Sequence, residues 1–482
     1  MQQAWNIFRK DLRGLRVEVV FLVALALGLG WAEARLTEPD WVEWIALLAV
    51  NYTIARLIHQ EAIPGTNQFW ITRPYRWKSL LVAKLLFILL CIQLPMLLAQ
   101  IYMIVAGSFP FVQSLPGLVW SQILMFFCAW LPAACLASLT TGLVTFLFSE
   151  LVLVAMGFVG AELIGVWKFP VIPAMQWVRN SFAAVVIAGF AASLLFLHYR
   201  NRKTGVNRGW AGAGLALAGF SFLFTPWSFA LTLQSWLSKQ DFDSSAMSAS
   251  LETIKQSVFP IRGSGQTGPS EVNLPIAIRG IPAGLETTAD AVFVTLTAAD
   301  GQIWSSDFVP SLIRPDEPGT TLLNAELAVD PLFFERESAR PVMLRAALYL
   351  TLFGDSGSMT IPIEPTPVNI MDGLQCSEGV FIQFSCRAVF RWPARRVYAA
   401  ANGVASGSSF TSISYSPFPA ELGFGAPERH SFSLPYAASR VTITTKEPLG
   451  HFRADLTIPN VVLARFTKEE KRKFDHGVTG TE

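Results

Sequence analysis

Leu80–Ala106 reads LLVAKLLFILLCIQLPMLLAQIYMIVA, and its only charge is Lys84. A helix crossing a bilayer needs about 20 mostly apolar residues, and this run supplies more. Working outward, further apolar runs cover Val19–Ala32, Trp41–Ile58, Leu118–Phe148, Leu151–Trp167, Phe182–Leu197 and Trp210–Leu233. The first and the sixth in chain order are short; the fourth is long and contains Pro132. The few charges inside, such as Glu43, Arg56 and Lys84, fall near the ends, where long side chains reach the headgroups. One such run alone reads equally well as a buried core helix; seven in series point to a membrane bundle.

Composition agrees. The 482 residues are 52% hydrophobic and only 15% charged, with a mean hydropathy of +0.42. Soluble globular chains average roughly 25% charged residues. The deficit is concentrated between Val19 and Leu233; the rest has ordinary soluble character. A net charge of +2 is too weak to imply nucleic acid as a partner. The basic, Trp-bearing N-terminus has no small-residue cleavage site after its first apolar run, so no cleaved signal peptide is expected.

Lys and Arg in the short loops set the expected orientation. Arg9, Lys10, Arg13 and Arg16 precede the first run, Arg73, Arg76 and Lys78 follow the second, and Arg200, Arg202, Lys203 and Arg208 follow the sixth. The alternate loops are poor in cations, holding Arg35, none in Gly107–Gly117, and Lys168 with Arg179. The cation-rich side is expected to be cytoplasmic, and an odd helix count then sends everything after Leu233 outside. Trp41, Trp120, Trp167, Trp177 and Trp210 lie where interfacial anchors belong.

Two intramembrane features stand out. Gly157, Ala161 and Gly165 repeat every four residues, a stripe that lets another helix approach closely. Glu162 adjoins it, and a carboxylate at bilayer depth is costly unless paired, hydrated or protonated. Function and structural hydrogen bonding near the outer interface both stand open for it.

The tail is expected to form an amphipathic helix, with Trp5, Phe8, Leu12 and Leu15 on one face and Arg9, Arg13 and Arg16 beside it. It would lie along the membrane surface, as an anchoring elbow or as a docking surface for a cytoplasmic partner. The stretch from Glu61 to Lys84 reads EAIPGTNQFWITRPYRWKSLLVAK. After a Pro64-Gly65 turn, Phe69, Trp70, Tyr75 and Trp77 interleave with cations. Such aromatics insert into the membrane interface or into another protein.

A basic N-terminal helix, a turn, then Phe69-Trp70-Ile71-Thr72-Arg73-Pro74, with Leu80, Leu81, Ala83 and Lys84 entering a long helix, resembles the ABC-2 type transporter permeases. The resemblance covers roughly Met1 to Arg208. It implies a membrane subunit that dimerises or pairs with another permease and works with a separate cytoplasmic ABC ATPase to export a substrate. In such permeases the N-terminal helix and the first cytoplasmic loop transmit ATPase motion. By position, that role falls on Trp5, Phe8, Arg9 and Arg13, and on Phe69, Trp70, Arg73, Pro74 and Arg76. The chain departs from the family in having seven expected helices where the family core has six, and in its large C-terminal part.

From Ser235 onward no further spanning run occurs. Short β-branched or alternating runs bounded by Gly, Pro and Asp predict strands at Val272–Arg279, Ala291–Thr297, Pro341–Phe353, Met359–Ile363, Val380–Phe390, Phe410–Tyr415, Arg440–Thr445 and Phe452–Ile458. These suggest one or two β-sandwiches. Cys91, Cys128 and Cys135 are expected as apolar packers in membrane helices. Cys376 and Cys386, in CSEGVFIQFSC, are placed for a hairpin disulfide, which suits an oxidising compartment.

The segment Gly263–Gly268 matches G-x-G-x-x-G, but Pro269 occupies the P-loop lysine position, so it reads as linker. Hence the chain is expected to bind no cofactor itself, with ATP held by the partner subunit. The five histidines show no metal-ligand spacing, and no catalytic motif emerges. His59 and Glu61 form a conceivable titrating pair at the inner edge.

The expected architecture is a polytopic α-helical membrane bundle of about 6–7 helices, followed by an extracytoplasmic β-rich domain. Its parts are a cytoplasmic interface helix (1–18), a permease domain (19–234), a linker (235–270), the β-rich domain (271–465) and a charged tail (466–482). The site would be the cell inner or plasma membrane. The competing expectation is a membrane-anchored receptor or sensor whose β domain binds a ligand or an envelope partner.

Overall fold

Helices follow the apolar runs, but prolines and one Thr-Thr-Gly break redraw their limits. In the computed structural model the described residues are 1–34, 40–60, 76–166, 173–201, 204–238, 248–251, 271–282, 284–306, 312–317, 320–364, 368–370, 374–378, 383–388, 390, 396–402, 410–412, 428–433 and 439–466. Helices α1 (Gln2–Gly14), α2 (Arg16–Ala34) and α3 (Asp40–His59) come first. Next are α4 (Trp77–Ala106) and α5 (Phe111–Leu139). Then come α6 (Leu143–Val166), α7 (Pro173–Asn201), α8 (Thr204–Phe224) and α9 (Trp227–Trp236). Among the described residues, four helices are long and apolar enough to cross a bilayer: α4, α5, Leu143–Gly160 of α6 and Val178–Arg200 of α7. The number rises to six if α1 with α2, and α8 with α9, each count as one bent span.

Two expected boundaries are corrected. The fourth and fifth runs were expected to part at Phe148–Leu151, yet α6 runs straight through these residues. The break lies at Thr140–Gly142, where Thr140 turns extended (φ −94°, ψ 152°). Its hydroxyl donates back to Leu136 O or Ala137 O, 3.2 and 3.1 Å away. Hydroxyls that compete for backbone groups end helices, and hydropathy is blind to that. The seventh run, Trp210–Leu233, is not one helix either. Pro226 has no N–H to continue the ladder; it is extended (φ −63°, ψ 140°), and α9 starts after it.

The chain forms two compact units. The first comprises Met1–Phe169, Arg179–Thr225 and Ser358–Ile443, the second Pro170–Val178, Pro226–Gly357 and Thr444–Glu482. In the second unit, β1 (Ser248–Leu251) and β2 (Glu271–Arg279) begin the sheet. Ser248–Leu251 falls in the stretch expected as linker, and it pairs antiparallel with β2. β3 (Leu285–Thr297) pairs with β4 (Ile303–Ser305), and β5 (Leu312–Glu317) with β6 (Thr320–Ala328). The first sheet runs β1-β2-β6-β5. β3 also pairs with β7 (Pro341–Pro362), Leu285 opposite Gly354 and Thr297 opposite Met343. Ile276 and Leu323 from the first sheet share one core with Val292, Leu348 and Phe452.

In the first unit, the strands β8 (Val368–Asn369), β9 (Leu374–Glu378), β10 (Gln383–Ala388), β11 (Arg396–Asn402), β12 (Phe410–Ser412) and β13 (Glu428–Ser433) follow. Four of these form a sheet in the order β13-β10-β9-β8. Cys376 stands opposite Cys386 in the β9–β10 register, and their sulfurs are bonded at 2.02 Å. The last strand, β14 (Arg440–Val462), is one element where two were expected, as is β7. Both contribute residues to each unit. Gly354 and Gly450 read as punctuation, but a ladder can pass through a glycine at modest cost.

The helical core of the first unit holds Leu22, Ile54, Leu57, Leu80, Phe87 and Trp130. Gly30 brings α2 against α4, since a Cβ there would fall 2.8 Å from Ala99 O.

Candidate functional site

Positions 4, 7, 8 and 11 of α1 lie on one face at helical spacing. Ala4, Ile7, Phe8 and Asp11 are the residues it buries; of the face expected from Trp5, Phe8, Leu12 and Leu15, Phe8 and Leu15 are buried and Leu12 packs on the core, while Trp5 is exposed. The helix packs on the start of α4, where Phe8 meets Phe87 edge-on at 6.2 Å. Asp11 is 0% exposed and Lys84 2% exposed. Lys84 Nζ donates to Asp11 Oδ2 at 2.9 Å and to Leu57 O at 2.9 Å. One ammonium therefore ties α1, α3 and α4 together. Lys84 does not reach outward as expected; burying both charges is tolerable because they satisfy each other.

This packing turns the remaining side of α1 outward. Trp5 is exposed and stacks on Phe8 at 5.0 Å. The Arg9 guanidinium lies 5.7 Å from the Trp5 ring. Arg13 is exposed, and Arg76, directly before α4, is exposed too. Phe69, Trp70, Arg73 and Pro74 lie outside the described residues, as do Glu61 and Gly263–Gly268. The structure thus gathers Trp5, Arg9 and Arg13 on one outward surface of α1.

His59, Thr140 and Arg208 meet at one end of the bundle. His59 Nε2 lies 2.8 Å from Ala137 O, and Arg208 Nε donates to Leu139 O at 2.9 Å. The C-terminal ends of α3 and α5 and the first turns of α8 therefore lie together, as the alternating helix directions require.

Further along α4 and α5, the same irregularity occurs twice. Ile88–Gln93 and Met125–Trp130 are π-helical. Leu94 N–H donates to Leu89 O and Leu131 N–H to Phe126 O, each five residues back. Pro95 and Pro132 follow directly. Each lacks an N–H and would clash with the carbonyl four residues earlier; widening the preceding turn relieves both problems. π-bulges concentrate at functional sites.

Between these bulged helices lies a set of amides. Gln93 Nε2 donates to Gln122 O at 2.8 Å and also contacts Gln122 Oε1. Gln122 Nε2 donates to Gln100 Oε1 at 2.6 Å, and Gln100 Nε2 to Ser121 Oγ at 3.4 Å. The Met125 N–H is shared between Gln122 O and Ser121 O, so the ladder is already loosening there. A side-chain donor takes up the slack. Sequence reasoning missed this cluster, although Gln93 and Gln100, seven apart, signal one polar stripe.

The turn between α4 and α5 is held by the strand region of the same unit. Gln375 Nε2 donates to Gly107 O at 3.0 Å. Phe390 packs with Met103, Phe109 and Leu118. A Cβ on Gly117 would fall 1.9 Å from Phe390 O. Gly117→Ala is therefore expected to cost about 1–3 kcal/mol by overpacking. Thermal unfolding of the purified variant checks this; an unchanged midpoint would show that the contact yields freely.

Glu162 is exposed on α6. Among the described residues nothing lies within 4 Å of a Cβ placed on Gly157. Cys91 and Cys135 are buried and Cys128 is half-buried, as packers should be. In the second unit His451 Nδ1 lies 2.9 Å from Gln234 Nε2 and 2.7 Å from Thr351 Oγ1. The Thr351 hydroxyl donates in turn to Asp290. Burial pushes the His451 imidazole down to about 4. Among the described residues no group of three His, Cys, Asp or Glu is placed to hold a metal ion. Compared with known proteins, the chain matches no protein-family model and no curated sequence.

Proposed function

We propose that the chain is the membrane-spanning permease subunit of an ABC-2-like exporter. It would couple ATP hydrolysis on a separate cytoplasmic ATPase to outward movement of a substrate, as a homodimer or beside a paired permease. The observation that carries the reading is the buried Asp11–Lys84–Leu57 junction. A force applied to α1 from outside would pass through it into α3 and α4. Along α4 it would reach the π-bulge at Ile88–Gln93 and the amides joining α4 to α5. The exposed Trp5, Arg9 and Arg13 give α1 an aromatic and cationic surface suited to a protein partner. In this reading the bundle spans the inner or plasma membrane, with α1 cytoplasmic and the β-rich region outside. The resemblance around Phe69–Pro74 supplies the family.

The test is copurification with a nucleotide-binding subunit. Substituting Phe69, Trp70 and Arg73 together is expected to weaken the association by about tenfold or more, ~1.4 kcal/mol. Undiminished association with the triple variant would remove the coupling role from that loop.

The second reading, a membrane-anchored receptor, is favoured by the contacts of Gln375 and Phe390 with the α4–α5 turn. A ligand on the β-rich region would then bias the same helices. Deleting the chain after Lys239 separates the two: transport that survives the deletion makes the β-rich region accessory.

A further inference from the structure

Glu150 is the only charged residue in Leu143–Gly160 of α6. Asn51 of α3, 7% exposed, donates through Nδ2 to Glu150 Oε1. The two remaining oxygens, Glu150 Oε2 and Asn51 Oδ1, are buried and have no hydrogen-bond partner. Both are acceptors when the carboxyl is ionised, so neither can satisfy the other. Helices α3 and α5 pack against α6. α5 carries no ionisable Asp, Glu, Lys, Arg or His. On α3, Arg56 is engaged with Glu18 at 3.5 Å, and His59 with Ala137 O. The side chains of Asp40 and Glu43 lie outside the described residues; they sit roughly 16 and 12 Å back along the helix at 1.5 Å per residue. Among the described residues no cation faces Glu150.

A carboxylate held by a single amide donor in apolar surroundings is poorly compensated. One proton changes this. On Oε2 it makes the carboxyl a donor, and Asn51 Oδ1 is the acceptor beside it. A small rotation then closes an acid–amide ring with two hydrogen bonds and no orphaned oxygen. We propose that Glu150 and Asn51 form an intramembrane proton-binding site that locks α6 onto α3. Only 6% of Leu143–Gly160 is buried inside the chain, so α6 is held by little beyond this pair and the packing of Phe146 against Ala55, Ile58 and Ala137. Loss of the proton leaves a half-buried carboxylate with one buried, unpartnered oxygen and loosens α6 from α3. The inference rests on the membrane reading, not on the transport reading.

The test uses full-length protein in phospholipid vesicles, floated beforehand. Infrared difference spectra of wild type against Glu150→Gln are expected to show, at neutral pH, a protonated-carboxyl C=O band that shifts in heavy water. The band should be absent from the variant and give way to a carboxylate band at alkaline pH. No such band, or one that persists in Glu150→Gln, overturns the site. If that variant does not fold, Asn51→Ala should keep the band but move it, because the O–H loses its acceptor; an unmoved band is equally fatal. Protein that fails to float with the vesicles defeats the membrane reading instead.

Discussion

Lys84→Met with Asp11 left in place is expected to destabilise the protein by about 3–5 kcal/mol, the usual cost of leaving a buried charge without its partner. Asp11 is 0% exposed, so water cannot replace the ammonium. The Leu57 carbonyl loses a donor as well. Asp11→Leu combined with Lys84→Met removes both charges, and most of the loss should be recovered, since an ion pair exchanged for apolar side chains is often neutral. The measurement is a thermal or denaturant unfolding curve in mild detergent for both singles and the double. Strict additivity of the single losses would deny the pairing. The double variant also probes function: it restores packing but removes the hydrogen bond to Leu57. Under the exporter reading it should assemble with the ATPase yet couple poorly.

The second large effect belongs to pH. His451 is buried and held down to about 4, against its ordinary value of 6.5. The cause is desolvation of the imidazolium. Above pH 6.5 the imidazole is neutral in both folded and unfolded chains, and its contribution is complete. Below 6.5 the unfolded chain takes up a proton that the folded one refuses until about 4. Stability is therefore lost as pH falls through this window, by about 3 kcal/mol in all at 1.36 kcal/mol per unit. Carboxylates titrate in the same range, so His451→Gln is the control. The difference between wild type and variant should shrink steadily from pH 7 to pH 4. Parallel pH profiles would rule out His451 as the titrating group.

The apolar runs located the helices, but two boundaries moved because Thr140 and Pro226 act through hydrogen bonding, which hydropathy does not measure. The tail was legible as an amphipathic helix, and Phe8, Leu12 and Leu15 of its expected face do pack inward, but Trp5 does not. A hydrophobic pattern marks only apolar residues, and the structure buries Asp11 among them. Glu162 drew notice as an intramembrane carboxylate, yet Glu150 is the one found paired with an asparagine across helices. Glu150 fell in the gap expected between two apolar runs, and only the continuous helix α6 and the neighbouring α3 bring it into a membrane-depth pair. The Cys376–Cys386 bond was readable because a hairpin is local: ten residues separate the sulfurs, and the strand register does the rest.

By itself the sequence determined the division into an apolar helical part and a later strand-bearing part, and the apolar density that makes a bilayer-crossing helix possible. These properties depend on neighbours a few residues away, so a single chain displays them. Only the tertiary structure decided that Asp11 meets Lys84, 73 residues on, and that Asn51 meets Glu150, 99 residues on. With 3.6 residues per turn, one residue of rotation swings a side chain by about 100°. Local pattern tolerates that error, while a buried ion pair or a shared proton does not.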